Sequence, residues 1–301
     1  MGIRNSYDIF NECGKNAYID QFSNKTICID MMTYVVRIYK IYGPDKWYNK
    51  IINFIEKIKK RNIKCICVFD GFNKPPEKGT CVKKRKDTTN KYKQELNEIS
   101  DEMKSEQNAE RYNFLNKKLE KAKLNSLYPS TSELFNVMIL IEVVCKCEVL
   151  IAHGEAESLC CYLMNQNQAD YVMSEDSDVL LYNVDVFLTK YTSETGKLKV
   201  FTTSEILLKY QITFEELFYI CLLMGTDYNL GLNGYGFKTG VKKIKQVGIQ
   251  SLTESLDSTQ SVKCSRLKEI FTPCAIFDKL VFTESEKQNA LNQLFHRQIT
   301  K

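Results

Sequence analysis

The feature that most constrains the fold is an alternation of short apolar runs with helix-like segments along the first 180 residues. The segment from Trp47 to Ile58, for example, places apolar side chains at helical spacing with lysines on its other face. Strands that alternate with helices predict an α/β fold, in which helices flank a mostly parallel twisted sheet. The runs with the composition of buried strands lie at residues 25–30, 63–70, 148–152 and 170–174.

Composition excludes several other classes of protein. The 301 residues are 44% hydrophobic and 26% charged, which is typical of a globular chain and not of a disordered one. No uncharged run approaches the ~18 residues of a membrane span, and no signal peptide opens the chain. With two histidines, a multi-histidine metal site or a histidine-based triad is not expected. The twelve cysteines include no Cys-x-x-Cys pair, so we expect reduced thiols and not structural zinc.

The net charge of +5 is concentrated in one segment. Residues 74–123 contain 14 basic and 9 acidic side chains, which leaves 28 of each in the rest of the chain. The segment has the mixed charge of solvated helices inserted between apolar segments. Two interpretations remain open at this point, a soluble surface hairpin and a cationic arm that holds phosphates.

A second basic cluster follows a glycine-rich turn. Four glycines fall between Gly231 and Gly240, after a helix that begins at the capping box Thr213-x-x-Glu216. A helix, a glycine-rich hairpin and a second helix can point backbone N–H groups at a phosphate without reading bases.

Acidic residues stand at or just after the end of each predicted strand. Any one of them alone suits a helix N-terminus or a turn. In a parallel sheet, however, these strand ends meet at one edge, where so many carboxylates would repel one another unless divalent cations lay among them. Oxygen ligands favour Mg²⁺ or Mn²⁺, and two such ions can hydrolyse a phosphodiester. The candidates are Asp30, Asp70, Glu155, Glu157, Asp176 and Asp178, with Asp227 in a later turn.

Several stretches together resemble one known family. They occur in the family's order over roughly residues 1–250, and they are Met1-Gly-Ile, Ile27-Cys-Ile-Asp30, Val68-Phe-Asp70-Gly with Pro75-Pro76, Gly154-Glu155-Ala-Glu157, Ser174-Glu-Asp176-Ser-Asp178, Met224-Gly-Thr-Asp227 and Gly234-Tyr-Gly236-Phe-Lys238. The chain resembles flap endonucleases and xeroderma pigmentosum G-type nucleases, and its length is similar to that of compact members from large DNA viruses. The chain departs from the family pattern by two extra residues, Phe72 and Asn73, before the proline pair.

The resemblance implies a PIN-like 5′-nuclease fold and a Mg²⁺-dependent, structure-specific 5′ endonuclease and exonuclease. The enzyme would act on DNA at 5′ flaps and other single-strand/duplex junctions in replication, repair or recombination. Two Mg²⁺ ions, replaceable by Mn²⁺, would bind at the acidic residues. The first ion would be held by Asp30, Asp70, Glu155 and Glu157, and the second by Asp176, Asp178 and Asp227.

The resemblance also assigns the basic regions. Residues 78–127 would form a helical arch for the 5′ single strand, with Lys78 and Lys84 as catalytic cations at its base. A shift of the alignment by one residue would place Lys83 or Arg85 there, so both are candidates for DNA contact. Gly2 would lie near the active site after removal of Met1. The helix-hairpin-helix would grip duplex DNA, with a K⁺ ion, through Gly234, Gly236, Lys238, Lys242 and Lys243.

We expect three regions, a nuclease core over 1–215, the helix-hairpin-helix over 216–250, and a helical C-terminal segment over 251–301 that packs on the core. The expected protein is monomeric, does not associate with membranes, and acts in the nucleus or at a viral replication site. The segment Gln288-x-x-Leu291-x-x-Leu294-Phe295 is weakly similar to a sliding-clamp peptide. The alternatives are a junction resolvase, a bubble-cutting relative, and a catalytically silent DNA-binding scaffold.

Overall fold

The computed structural model describes residues 2–6, 9 and 12–299. The strands are β1 (Lys15–Tyr18), β2 (Thr26–Asp30), β3 (Lys64–Phe69), β4 (Glu148–Ala152), β5 (Tyr171–Met173), β6 (Val186–Thr189), β7 (Lys197–Thr202) and β8 (Phe277–Lys279). The helices are α1 (Met31–Lys59), α2 (Gly79–Ser105), α3 (Ala109–Ser126), α4 (Thr131–Val143), α5 (Ala156–Asn165), α6 (Thr203–Tyr210), α7 (Phe214–Met224), α8 (Phe237–Thr259), α9 (Cys264–Ile270) and α10 (Glu284–Ile299). Short 3-10 helices cover Ile19–Phe22, Pro76–Lys78 and Ser177–Tyr182.

The predicted α/β fold is confirmed. The eight strands form one sheet in the order β1-β7-β6-β5-β2-β3-β4-β8, and the central run from β6 to β4 is parallel throughout. The strands β2 and β3 are buried along nearly their whole length, as expected for parallel strands covered on both faces. The antiparallel strands β1, β7 and β8 complete the two edges.

The four predicted strands are present, but four others were not predicted from the sequence. Strand β1 is a polar edge strand, and β8 has three residues that are all exposed to solvent, so neither has the apolar alternation that identifies a strand. The two helices predicted between β2 and β3 are both present within α1 and meet at a kink. Its backbone breaks at Gly43, where φ is +71°. This left-handed conformation favours glycine and explains the change in direction.

The helix starts that the sequence predicted are confirmed. Helix α7 begins at a complete capping box, in which Thr213 Oγ1 accepts the Glu216 N–H and the Glu216 carboxylate accepts the Thr213 N–H. Before helix α4, Ser130 and Glu133 exchange the same pair of hydrogen bonds. These bonds satisfy N–H groups that the first turn of a helix leaves without an internal partner.

The chain divides into two compact units. The first comprises residues 1–34, 54–78 and 141–281, and it contains the whole sheet and its apolar core. None of the twelve cysteines, all of which lie within the described residues, forms a disulfide, and eight of the nine buried ones lie in strands or helices or beside strand β4 as small apolar side chains. None of the helices in the described part of the chain is long and apolar enough to cross a membrane.

The second unit comprises residues 35–53, 79–140 and 282–301. Its helices α2 and α3 pack around a small core of three buried residues, Ile99, Leu115 and Ala122. Most of the other side chains of the two helices lie at the surface. Ion pairs between the two helices add to this contact, for example Lys118 Nζ with Glu95 Oε1 at 3.1 Å. The basic segment predicted from the charge distribution is therefore a helical hairpin with most of its surface in solvent.

Candidate metal centre at the sheet edge

Three carboxylates meet at the carboxyl ends of neighbouring strands. Asp30 is the last residue of β2, Asp70 follows β3, and Glu157 lies in the first turn of α5, after β4. Because β2 and β3 are parallel and in register, their carboxyl ends lie side by side. One carboxylate oxygen from each of these three residues lies within 4.8 Å of the others. The predicted convergence of acidic residues at one sheet edge is thus present for this group.

Asp30 is held in place by a serine from the adjacent strand end. Ser174 Oγ donates to Asp30 Oδ2 at 2.7 Å and accepts the Asp176 N–H at 3.0 Å, so one hydroxyl positions two acidic residues. Burial raises the pKa of Asp30 to about 7, and the charge of Asp70 acts in the same direction. Without a cation, this carboxyl group therefore retains its proton up to near neutral pH.

Asp70 has both carboxylate oxygens in hydrogen bonds. Its Oδ1 accepts the Ala156 N–H at the start of α5 at 3.0 Å, and its Oδ2 is 2.7 Å from Lys74 Nζ. Lys74 Nζ also lies 3.7 Å from Glu155 Oε2. Burial acts to lower the pKa of Lys74, but the charges of Asp70 and Glu155 prevail and raise it, so this lysine is a fixed cation of the site.

Lys78 is buried among the acidic residues. Its ammonium group donates to Glu155 Oε2 at 2.8 Å, it is 3% exposed, and it lies 5.3 Å from the centre of the Tyr228 ring. Burial acts to lower the pKa of Lys78, but Glu157 and Glu155 prevail and hold it above its ordinary value. The cation expected at a scissile phosphate is thus paired with a carboxylate expected to bind metal.

Several buried carboxylate oxygens have no hydrogen-bond donor. Among the described residues, neither oxygen of Asp178 nor Oε1 of Glu155 has a partner. Burial raises the pKa of Asp178 and of Glu157 well above the ordinary value, and neighbouring acidic residues add to the effect. Buried polar groups without partners cost free energy. Buried carboxylate oxygens that lack hydrogen-bond donors fit a hard divalent cation such as Mg²⁺ or Mn²⁺.

The remaining acidic residues approach from the turn after β5 and the turn after α7. Asp176 caps the 3-10 helix Ser177–Tyr182 by accepting the Asp178 N–H at 3.1 Å. The charge of Asp227 contributes to the raised pKa of Asp178, which places these two groups near each other. The Asp227 turn is fixed by buried Asn229, whose Oδ1 accepts from the hydroxyl and N–H of Thr226 at 2.9 and 3.1 Å.

The start of the chain lies against the 3-10 helix Ser177–Tyr182 and the turn after α7. Ile3 N donates to Ser177 Oγ at 2.8 Å, and Arg4 N donates to the Gly225 carbonyl at 2.8 Å. A Cβ atom on Gly2 would lie 2.1 Å from Asp176 Oδ1, and φ at Gly2 is +88°. Gly2 therefore lies beside Asp176, and no larger residue fits there without a shift.

The other predicted residues lie on the basic helices. Lys83 and Lys84 are exposed on α2 of the second unit, and Arg85 is half-buried there. In the hairpin, Gly234 has φ of +83°, Gly236 precedes the first residue of α8, and Gly240 fits closely against Ile220 of α7. On α8, Lys242 is exposed, Lys243 is half-buried, and Lys238 forms an ion pair with Glu12.

Sequence reasoning missed three residues that shape the site, namely Lys74, Ser174 and Asn229. Ser174 lies within the acidic block of residues 174–178, but nothing in the sequence distinguishes its hydroxyl as a hydrogen-bond partner of a carboxylate in the site. Lys74 was counted only as part of the basic segment. Asn229 could have been inferred from the turn that must follow α7, because asparagine often bonds to a neighbouring backbone.

Comparison with known proteins places the acidic blocks in a recognised region. The XPG I-region profile matches residues 146–227, which contain Glu155, Glu157, Asp176, Asp178 and Asp227. Flap endonuclease 1 of Methanosphaera stadtmanae is 29% identical over 219 residues, which cover 70% of this chain. The chain spans 62% of the length of that relative.

A viral protein and a solved structure give the same picture. The putative RAD2-like endonuclease 095R of Frog virus 3 is 26% identical over 312 residues, covering 90% of this chain and 83% of the relative. The structure of flap endonuclease-1 from Methanococcus jannaschii superimposes with a TM-score of 0.63 at 17% identity, covering 96% of this chain and 98% of the other. The structural likeness supports the 5′-nuclease fold.

Proposed function

We propose that this chain, which belongs to the flap endonuclease and XPG family, is a Mg²⁺-dependent, structure-specific 5′ nuclease. It hydrolyses DNA phosphodiesters at 5′ flaps and other single-strand/duplex junctions. One observation carries the proposal: three carboxylates from separate strand ends, two of them buried, converge within 4.8 Å, and neighbouring carboxylate oxygens lack donors among the described residues. Such an arrangement is costly unless cations occupy it, and cations there suit phosphodiester hydrolysis.

The chain's residues bind and orient the reacting groups. Asp30, Asp70, Glu155 and Glu157 would hold the first ion, and a second group of acidic residues, Asp176, Asp178 and Asp227, the second. When bound, two divalent ions activate a water molecule and stabilise the leaving oxygen. Lys78 and Lys74 supply positive charge beside the same carboxylates.

The basic helices supply affinity for the DNA backbone. In this proposal, helices α2 and α3 form the arch that receives the 5′ single strand, with Lys84 at its base and Lys83 and Arg85 beside it. The hairpin between α7 and α8 holds duplex DNA through backbone N–H groups, a K⁺ ion, and the lysines of α8.

The biological setting is part of the proposal. A nuclease of this kind acts on replication, repair or recombination intermediates, inside the cell and at a nuclear or viral replication site. We propose a monomeric enzyme. Sliding-clamp binding through residues 288–295 has little support, because the segment lies within helix α10 and its Leu294 is buried.

The decisive experiment measures cleavage of a 5′-labelled flap by the purified protein in Mg²⁺ and in EDTA. We expect cleavage with Mg²⁺ and none with EDTA. Asp176→Ala should abolish cleavage while DNA affinity changes little. Asp170→Asn is the matched control, because Asp170 precedes β5 at the amino-terminal ends of the parallel strands, away from the candidate metal centre. There it accepts the Thr26 N–H at 2.8 Å. Full activity in Asp176→Ala would refute the site assignment.

A substrate panel separates the alternatives. Flap, gap, nick, bubble and four-way-junction DNAs of matched sequence should be compared at equal enzyme concentration. Preference for the flap supports the proposal, whereas preference for the four-way junction or the bubble would favour a resolvase or a bubble-cutting relative. Binding without cleavage of any substrate in Mg²⁺ or Mn²⁺ would indicate a silent scaffold.

A further inference from the structure

The loop between β3 and the 3-10 helix Pro76–Lys78 carries an aromatic side chain that packing does not explain. Phe72 is 88% exposed, the largest exposure of any aromatic residue among those described. Exposing a phenylalanine forgoes the favourable burial of its ring. The loop follows Asp70 directly, so the ring is two residues from a carboxylate of the candidate metal centre.

Backbone hydrogen bonds are present on both sides of Phe72. Gly71 N donates to the Gly154 carbonyl at 2.8 Å, and a Cβ atom on Gly71 would lie 2.0 Å from the Ala152 carbonyl oxygen. After Phe72, Lys74 N donates to the Phe72 carbonyl at 3.1 Å. A ring on an anchored backbone loses less conformational freedom on binding than one on a mobile loop.

The loop lies against the segment that follows β4 and leads into Glu155 and Glu157. The Asn73 amide nitrogen is 3.1 Å from Nε2 of His153, which immediately precedes Gly154-Glu155. On the other side of His153, its N–H donates to the carbonyl of Ile276, a residue that is 61% exposed. Ile276 is thus a second exposed apolar residue bonded to the segment that the Phe72 loop contacts, while Lys74 adds positive charge within the loop.

We propose that Phe72 is a stacking platform for an unpaired nucleobase of the DNA strand positioned at the metal centre. This inference rests on the proposed nuclease function. An exposed flat ring beside cations fits a polyanion that carries flat apolar faces. In a duplex the neighbouring bases cover those faces, so only an unpaired base can stack on Phe72. The residue thereby favours substrates with single-stranded character next to the cleaved bond.

The test uses a flap substrate with 2-aminopurine at the unpaired position next to the junction. Binding is followed by fluorescence in EDTA, and cleavage in Mg²⁺. Phe72→Ala should weaken binding of the flap and raise KM by about tenfold, with kcat changed less and the fluorescence change lost. Phe72→Trp should retain both signals, whereas Phe72→Leu should behave like the alanine variant because it is apolar but cannot stack.

Tyr18→Ala is the matched control. Tyr18 is an aromatic residue, 49% exposed, on β1, five strand positions from β3 in the same sheet. That separation is roughly 24 Å at the usual strand spacing, so this variant should match the wild type.

The outcomes separate this inference from the proposed function. If wild type cleaves the flap and the Phe72→Ala variant shows the same KM and the same fluorescence change, the stacking role alone is overturned. An equal loss on blunt duplex without unpaired bases also overturns it, because the residue would then act on duplex DNA. If wild type neither binds nor cleaves the flap, the proposed function fails and this inference fails with it.

Discussion

The buried Asp30 carboxyl group makes the stability of the metal-free protein depend on pH. Its pKa is about 7 in the folded state against an ordinary value of 3.8. Between these two pH values the folded protein keeps a proton that the unfolded chain has released, so raising the pH destabilises the fold. The stability that the protonated Asp30 carboxyl group gives the folded protein is fully present below about pH 4. It is lost as the pH rises through 7.

The size of the effect follows from the separation of about three pH units between the folded and unfolded pKa. At ~1.4 kcal/mol per unit, Asp30 alone accounts for about 4 kcal/mol of lost unfolding free energy by pH 8. Asp30→Asn removes the charge and can still accept the Ser174 hydroxyl. We therefore expect the variant to be more stable than wild type at pH 8 in EDTA by up to about 4 kcal/mol, with the gap closing towards pH 4.

Urea unfolding in EDTA from pH 5 to 8 measures this difference. Addition of Mg²⁺ should shrink or reverse it, because a cation that binds only the folded wild type adds to its stability in proportion to ligand concentration over Kd. Asp170→Asn serves as the control, because hydrogen bonding to the Thr26 N–H lowers the pKa of Asp170. The reasoning would be refuted if the Asp30→Asn variant were less stable than wild type at pH 8 in EDTA. It would also be refuted if the unfolding free energy of the variant depended on pH as strongly as that of wild type.

Three further predictions concern residues around the centre. Gly2→Ala should lower kcat at least tenfold with little change in circular dichroism, because its Cβ would lie 2.1 Å from Asp176 Oδ1; unchanged kinetics would contradict this. Lys78→Met should destabilise the metal-free protein by about 3–5 kcal/mol, since Glu155 loses its buried cation, and Mg²⁺ should reduce the loss in thermal unfolding; an equal loss with and without Mg²⁺ would count against the pairing. Asn229→Ala should cost about 3 kcal/mol in urea unfolding because three buried hydrogen bonds are lost, and a cost below ~1 kcal/mol would show that the turn is fixed otherwise.

The central sheet could be predicted because parallel strands buried on both faces are continuous apolar runs. Strands β2 to β5 have this property. The edge strands do not, since β1 reads Lys-Asn-Ala-Tyr and β8 reads Phe-Asp-Lys, and they are strands only because a partner strand offers hydrogen bonds. That partner is distant in sequence, so local composition carries no signal for it.

The acidic residues of the site could be predicted for a similar reason, because strand ends in a parallel sheet have a fixed common edge. The charge pattern alone did not indicate which lysine would enter the cluster, and only the family resemblance singled out Lys78. Lys74 was counted with the solvated charges of the basic segment, whereas it pairs with Asp70, and Lys78 is buried against Glu155. That outcome depends on the path of the six-residue loop 70–75, whose anchors at Gly154 and His153 are about eighty positions away in the chain.

The hydrogen bond between Ser174 and Asp30 joins residues 144 positions apart, and the one between Ile3 and Ser177 joins residues 174 apart. A centre assembled from such distant parts cannot form on a partly synthesised or partly folded chain, because bringing its members together requires the completed sheet. Divalent-ion affinity would then report on global folding, and a titration with Mg²⁺ or Mn²⁺ would count the molecules that have reached the native state. In the proposed nuclease, a chain whose sheet has not formed would lack this centre and could not cleave DNA.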